Sequence, residues 1–191
     1  MILFQNITMN IACIPAYNEE FHIENLVKST MKYVDSVVVC DDGSTDNTAN
    51  IAKNAGAIVI SHKTNKGYGA AIASLFDYAR KNNAEIMITI DGDGQHDPNQ
   101  IPLLLNTMIQ HNVDVVIGSR FLNQNTEAPG YRQRGIKIIT SAANYGTDLK
   151  ISDSQSGFRA YSNNAINAIH PTEEDMSIST EILFKISNKG L

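Results

Sequence analysis

Two hydrophobic periods alternate over the first 117 residues, and this pattern constrains the fold more than any other feature of the chain. Short, near-continuous apolar runs recur at residues 7–14, 37–40, 57–60, 86–90 and 113–117. Runs of that length suit strands covered on both faces, as the strands of parallel sheets are. Between them, side chains fall at i, i+3, i+4 and i+7. One set is Ile23, Leu26, Val27, Thr30, Met31 and Val34, and a second is Ile72, Leu75, Phe76 and Ala79. The third is Ile101, Leu104, Leu105, Met108 and Ile109, for which Asp97-Pro98 offers a cap and a first-turn residue. Such alternation builds right-handed βαβ units. The expected fold is therefore α/β and Rossmann-like, with a mostly parallel central sheet and helices on both faces.

Beyond Gly118 the regularity fails. Residues 118–131 are polar and carry a Pro-Gly pair, which predicts a loop long enough to have a function or to move. A helix is expected over about 132–147, an extended stretch near 157–161, and helices near 163–169 and 177–188. No repeat, low-complexity tract or linker divides the 191 residues, so one domain is expected over 1–191. The chain stops at Lys189-Gly190-Leu191 directly after a helix, which suggests C-terminal truncation.

Composition removes several classes. Lys plus Arg is 15 and Asp plus Glu is 20, so the net charge is −5, with no basic tract for neutralising nucleic-acid phosphates. An apolar fraction of 42% argues against a disordered chain. No window approaches a membrane-spanning run, and residues 1–27 lack the Lys or Arg of a secretory n-region. Cys13 and Cys40 lie in apolar runs and read as buried, reduced thiols of a cytosolic protein.

In open α/β sheets, ligands bind beyond the carboxyl ends of the strands. Three polar segments collect there: Pro15-Ala16-Tyr17-Asn18-Glu19-Glu20, the stretch from Asp41 and Asp42 to Thr48, and Asp91-Gly92-Asp93-Gly94-Gln95-His96. Each alone also reads as ordinary turn chemistry. Acidic groups after three strands of one sheet repel one another unless a cation binds. In an extended chain Asp91, Asp93 and Gln95 face the same way, offering hard oxygen ligands for Mg²⁺ or Mn²⁺. An EF-hand loop, a zinc cluster and a P-loop are all absent from the sequence. His96 reads as a solvent-facing loop residue rather than a ligand. Gly67-Tyr68-Gly69, preceded by Lys66, reads either as a helix start able to meet a pyrophosphate or as plain entry into a helix.

The ordered set Pro15-Ala16-Tyr17-Asn18-Glu19, Asp41-Asp42-Gly43-Ser44-x-Asp46-x-Thr48, Asn65-x-Gly67-x-Gly69-Ala70-Ala71 and Asp91-x-Asp93-x-Gln95-His96 resembles family 2 glycosyltransferases of the GT-A fold. Gly118-Ser119-Arg120, Arg134 and Asp153-x-x-Ser156-Gly157-Phe158-Arg159 are similar to the branch making polyprenyl-phosphate sugars, such as dolichyl-phosphate mannose and glucose synthases.

The resemblance implies a nucleotide-sugar half over about 1–95 and an acceptor half over about 96–191. It implies a UDP- or GDP-hexose donor held by Pro15, Tyr17, Glu19, Asp41, Asp42, Lys66, Asp91, Gly92, Asp93 and Arg120. A divalent cation, Mg²⁺ or Mn²⁺, would sit on Asp91, Asp93 and Gln95, with Asp93 among the catalytic residues. The implied acceptor is a polyprenyl or dolichyl phosphate, met by a peripherally associated enzyme at the cytosolic membrane face.

A phosphate monoester is largely dianionic at neutral pH and needs cationic positioning more than a base. Arg120, Arg134 and Arg159 suit that task, and surface ion pairs are the alternative for each. A rival acceptor is a sugar hydroxyl with Glu174 or Asp175 as base, although acidic residues there also suit a helix entry. A reading from another class is a nucleotide-sugar-binding module without catalysis.

Overall fold

The structure is a computed structural model that describes residues 9–121, 130–147 and 149–191, with the side chains of 130–134 outside the description. Its elements run β1 (Asn10–Ala16), α1 (Ile23–Thr30), β2 (Ser36–Asp41), α2 (Thr48–Asn54), β3 (Ile58–Ser61), α3 (Tyr68–Lys81) and β4 (Ile86–Thr89). A 3₁₀ turn (Pro98–Gln100) then leads into α4 (Ile101–His111), β5 (Val115–Ile117), α5 (Gly130–Thr147), β6 (Arg159–Ser162), α6 (Asn163–Ala168) and α7 (Ile178–Lys189). The Asp97 carboxylate accepts from Asn99 N–H at 3.0 Å, so the expected Asp-Pro cap opens the 3₁₀ turn rather than α4 itself.

The six strands lie in the order β3-β2-β1-β4-β6-β5. β1 pairs parallel with β2 and β4, and β2 with β3, as the alternating pattern predicts. β6 is the exception. It runs antiparallel between β4 and β5, pairing Thr89 with Arg159 and Ile117 with Arg159.

The apolar runs form strands because both of their faces are covered. Alternate residues enter different cores. Ile11, Cys13, Val38, Cys40, Met87 and Tyr161 pack under α3, α6 and α7, with Ala143 of α5. Ala12, Ile14, Val37, Val39, Ile88 and Ala160 pack under α1, α2 and α4. Helices therefore cover both faces, as expected. Phe76 of α3 meets Tyr161 of β6 edge-to-face at 5.0 Å, and removing either ring would cost about 3–5 kcal/mol. Both cysteines are buried and unpaired.

Helix α2 has no counterpart in the sequence expectations, because only Thr48 and Ala52 of its seven residues are buried. The loop expected over 118–131 falls largely on 122–129, outside the described residues. Among the described residues no helix is long and apolar enough to cross a membrane.

Candidate active site

Two loops at the carboxyl ends of β1 and β2 are laced together by the polar motif residues. Asn18 N–H donates to Ser44 Oγ at 2.9 Å, and Thr45 N–H returns a bond to Asn18 Oδ1 at 2.9 Å. Glu19 N–H donates to Thr48 Oγ1 at 2.8 Å and Glu20 N–H to Asp46 Oδ2 at 3.2 Å. Asn18 takes a left-handed φ of 56°, a conformation Asn tolerates well. These four motif side chains therefore build the loop pair that carries Tyr17 and Glu19.

A cleft of about 360 Å³ opens beside this pair, within the usual range for small-molecule sites. Pro15, Tyr17, Glu19, Asp42, Asp91, Gly92, Asp93, Gln95 and Arg120 all border it, and all were expected site residues. Burial, with the neighbouring Asp93 carboxylate second, pushes the Glu19 carboxyl up. Desolvation dominates that shift, and the Asp93 charge across the cleft adds to it.

Asp91 sits at the back of the cleft. Its Oδ1 accepts from Tyr68 O–H at 2.9 Å, and its Oδ2 lies 3.5 Å from His96 Nε2. Burial would raise this carboxyl, but His96, the Tyr68 bond and the Arg159 charge outweigh it and hold it below the ordinary carboxylate range. Burial and the adjacent Asp91 push the Tyr68 hydroxyl well up, which keeps it a donor. The Asp91 carboxylate lies against Gly157: a Cβ there would stand 2.1 Å from Oδ1 and 2.3 Å from Oδ2. Only glycine permits that approach.

His96 differs from the expectation of a solvent-facing residue. Its side chain is 10% exposed, because the ring stacks on Phe158 at 5.4 Å while reaching Asp91. Tyr68, Gln155 and Met176 also border the cleft and were missed. Tyr68 lies inside a motif read for its glycines, so the signal was present but assigned to the wrong atoms.

Arg120 donates from Nε to Asp153 Oδ2 at 2.8 Å and from Nη2 to Asp153 Oδ1 at 3.0 Å. Asp153 is fully buried, so Arg120 is both ion-paired and a cleft residue, a bidentate arm held at the rim. Arg159 corrects the expectation made for it. It is 2% exposed, with Nε on Ser156 O at 2.8 Å, Nη2 on Ser154 O at 2.8 Å and Nη1 on Ser179 O at 3.4 Å. A guanidinium occupied by three carbonyls supports the fold beneath Asp91 and is neither a surface ion pair nor an arm into the cleft. The Arg134 side chain lies outside the described residues.

Asp41 is buried at 5% and accepts from Ser44 N–H at 3.2 Å, away from the cleft lining. Lys66 borders a neighbouring polar groove with Asn65, Gly67 and Thr172 to Asp175. Two first-turn amides of α3 are already engaged. Gly69 N–H and Ala70 N–H donate to Glu174 O at 2.9 and 3.3 Å, in keeping with plain entry into a helix capped by a backbone carbonyl. Cβ atoms on Gly67 or Gly69 would come within 2.3 Å of the strap formed by Glu173 and Glu174. Asp175 accepts from Ser177 N–H at 2.7 Å, in keeping with the helix-entry reading of the acidic pair.

Among the described residues no three His, Cys, Asp or Glu side chains converge as a metal site. The cleft instead offers Asp91, Asp93 and the Gln95 amide. This hard but incomplete donor set fits Mg²⁺ or Mn²⁺ completed by phosphate and water, and it does not fit zinc.

The chain is similar to several known proteins. An uncharacterized protein of Methanocaldococcus jannaschii is 31% identical over 93% of this chain and 75% of its own length. The UDP-N-acetylglucosamine–dolichyl-phosphate N-acetylglucosaminyltransferase of Methanococcus voltae is 31% identical over 82% of this chain and 70% of its own. The undecaprenyl-phosphate 4-deoxy-4-formamido-L-arabinose transferase of Edwardsiella ictaluri is 31% identical over 87% of this chain, which spans 53% of that relative. Glucosyl-3-phosphoglycerate synthase of Mycobacterium tuberculosis, crystallised with Mn²⁺ and UDP, shares the GT-A fold with a TM-score of 0.76 at 22% identity, over 95% of this chain and 66% of that one. The model of the family described as "Glycosyl transferase family 2" matches residues 11–169, and the chain belongs to that family.

Proposed function

We propose that this chain is the catalytic domain of an inverting glycosyltransferase that moves a hexose from a UDP- or GDP-sugar to a polyprenyl or dolichyl phosphate. One observation carries the reading: Glu19, Asp42, Asp91 and Asp93, with the Gln95 amide and the Arg120 arm, surround a single cleft at the carboxyl edge of the sheet. Carboxylates crowded in this way suit a ligand that arrives as a diphosphate with its divalent cation. The named relatives that act on dolichyl- and undecaprenyl-phosphate support the acceptor class.

In this reading Tyr17 and Asp42 meet the nucleoside, while Asp91, Asp93 and Gln95 hold Mg²⁺ or Mn²⁺. The cation would stabilise the negative charge gathered on the departing nucleoside diphosphate. An acceptor phosphate oxygen forms its bond to the anomeric carbon as the bond to the donor diphosphate breaks on the opposite face. The anomeric configuration inverts in this one displacement. Arg120, fixed by Asp153, stands at the rim to position phosphate, and Arg134 is its proposed companion. No general base is required, because the attacking phosphate is already anionic. Glu174 and Asp175 border the neighbouring groove rather than the cleft, so nothing favours the hydroxyl-acceptor reading. A lipid-linked acceptor sets the reaction at the cytosolic membrane face, with peripheral association.

Titration calorimetry with UDP and GDP, with and without Mn²⁺, tests the reading. Cation-dependent binding of one nucleotide is expected, and Asp93→Ala should abolish the cation dependence. Failure of both nucleotides to bind would overturn it. Binding without transfer to a polyprenyl phosphate by the full-length protein would favour a non-catalytic module.

A further inference from the structure

Behind the cleft wall Asp42 is held by a polar cluster, and His62, Ser74 and Cys40 of that cluster have no part in the reaction described above. His62, at the end of β3, is 8% exposed at its side chain, and Asp42 is 4% exposed. His62 Nδ1–H donates to Asp42 Oδ1 at 2.6 Å. Its Nε2 lies 2.9 Å from Ser74 Oγ on α3, a hydroxyl able to donate to a neutral ring or accept from a protonated one. Cys40 Sγ stands 3.8 Å from the same nitrogen. Asp42 also receives Lys66 N–H on Oδ1 at 3.0 Å and Gly67 N–H on Oδ2 at 2.8 Å.

A carboxylate offers about four acceptor positions. Among the described residues three are filled by the protein, two of them on Oδ1, so Oδ2 keeps one position for a ligand in the cleft that Asp42 borders. An acceptor of this kind pairs with a base edge bearing a ring N–H, as uracil and guanine have. Cytosine and adenine carry an acceptor at the corresponding ring nitrogen, whose lone pair repels the carboxylate, so only their exocyclic amino group is left to pair with it and the match is poorer.

We propose that His62 is the positioning residue for nucleobase choice. Its ring, braced by Ser74, pins Oδ1 of Asp42 and so turns the carboxylate into a one-place acceptor for a ring N–H. The inference rests on the nucleotide-sugar reading above and names what sets its base preference.

Two substitutions separate its two nitrogens. In His62→Asn the amide nitrogen falls near Nδ1 and keeps the donor to Asp42. In His62→Gln it falls near Nε2 and keeps only the contact with Ser74. Calorimetry with UDP, GDP and CDP in the presence of Mn²⁺ reads base preference, electron paramagnetic resonance reads Mn²⁺ affinity without nucleotide, and thermal melts check folding. Wild type should bind UDP or GDP at least about tenfold more tightly than CDP, since a hydrogen bond to a charged group is worth that much. His62→Asn should stay close to wild type. His62→Gln should lose most of the preference while its Mn²⁺ affinity stays unchanged and its melt stays a single cooperative transition, shifted down by a few degrees.

A residue that merely fills space would tolerate the longer Gln at least as well as the shorter Asn. The inference is overturned if Gln keeps the preference, if Asn loses as much as Gln, or if Mn²⁺ affinity falls in step with nucleotide affinity. Absence of any nucleotide binding by wild type would instead refute the parent reading.

Discussion

Gly157→Ala provides a stringent test of the cleft. The added Cβ would stand 2.1 Å from Asp91 Oδ1, 2.3 Å from Oδ2 and 2.4 Å from Cγ, whereas ordinary contact begins near 3.4 Å. The nearest oxygen therefore has to retreat by about 1.3 Å (3.4 − 2.1). Asp91 is held by the Tyr68 hydroxyl at 2.9 Å and flanked by His96 at 3.5 Å, so turning it aside gives up the Tyr68 bond. A hydrogen bond to a charged group contributes about 1.5–3 kcal/mol. Disturbing the support of a metal ligand typically lowers metal affinity by about 10–100-fold, a range matching that energy. The Gly157 carbonyl still accepts from Thr89 Oγ1 at 2.7 Å, and the alanine reduces unfolded-state entropy by about 0.4–1 kcal/mol, so the fold should survive. The assay is Mn²⁺-dependent nucleotide binding by calorimetry, beside a denaturant melt. Wild-type Mn²⁺ and nucleotide affinity in a folded Gly157→Ala protein would refute the assignment of Asp91 to the cation.

Three further outcomes follow from the geometry. Tyr68→Phe removes the donor from Asp91 and should weaken Mn²⁺ binding by about tenfold with little loss of stability, as read by Mn²⁺ titration. Arg159→Met strands the carbonyls of Ser154, Ser156 and Ser179, and at about 1–3 kcal/mol each should shift a urea midpoint strongly. An unshifted midpoint with lost acceptor affinity would restore the phosphate role to Arg159.

Glu181 supplies the third outcome. Burial alone would raise its carboxyl, but bonds from Lys185, Thr172 and Glu173 outweigh that and hold it at about 2, against 4.5 ordinarily. A depressed carboxyl contributes stability that is full above the unfolded value and disappears as pH falls through the folded one. The strap over 172–175 should therefore loosen between pH 4.5 and about 2, seen as increased proteolysis there, and Glu181→Gln should flatten that dependence.

The strands and most helices were legible because burial on two faces forces continuous apolar runs and burial on one face forces a 3.6-residue period. Helix α2 escaped because Thr48 and Ala52 alone are too sparse to mark a period. β6 was seen as an extended stretch, but its partners lie on β4 and β5, and four residues cannot encode a position between distant strands. The acidic motif was legible because an i, i+2, i+4 spacing is local. Tyr68 and His96 act on Asp91 from 23 residues before it and 5 after, through approaches only the folded chain creates. Arg159 misled because an arginine is ordinarily a surface residue. Nothing local announces that three carbonyls will converge on it.

The antiparallel strand also has a kinetic consequence. Thr89 waits for Arg159, 70 residues later in synthesis (159 − 89), before the flank of β4 gains its neighbour. Until β6 emerges from the ribosome, β4 and β5 present bare edges with no bridge between them, the kind of exposure that invites misassembly. Closure of so distant a loop delays the reward for β4 and β5 and predicts slow maturation in comparison with a consecutive βαβ layer. The late strand brings Gly157 against Asp91 as it docks, so the cleft becomes competent only at the moment the sheet becomes whole.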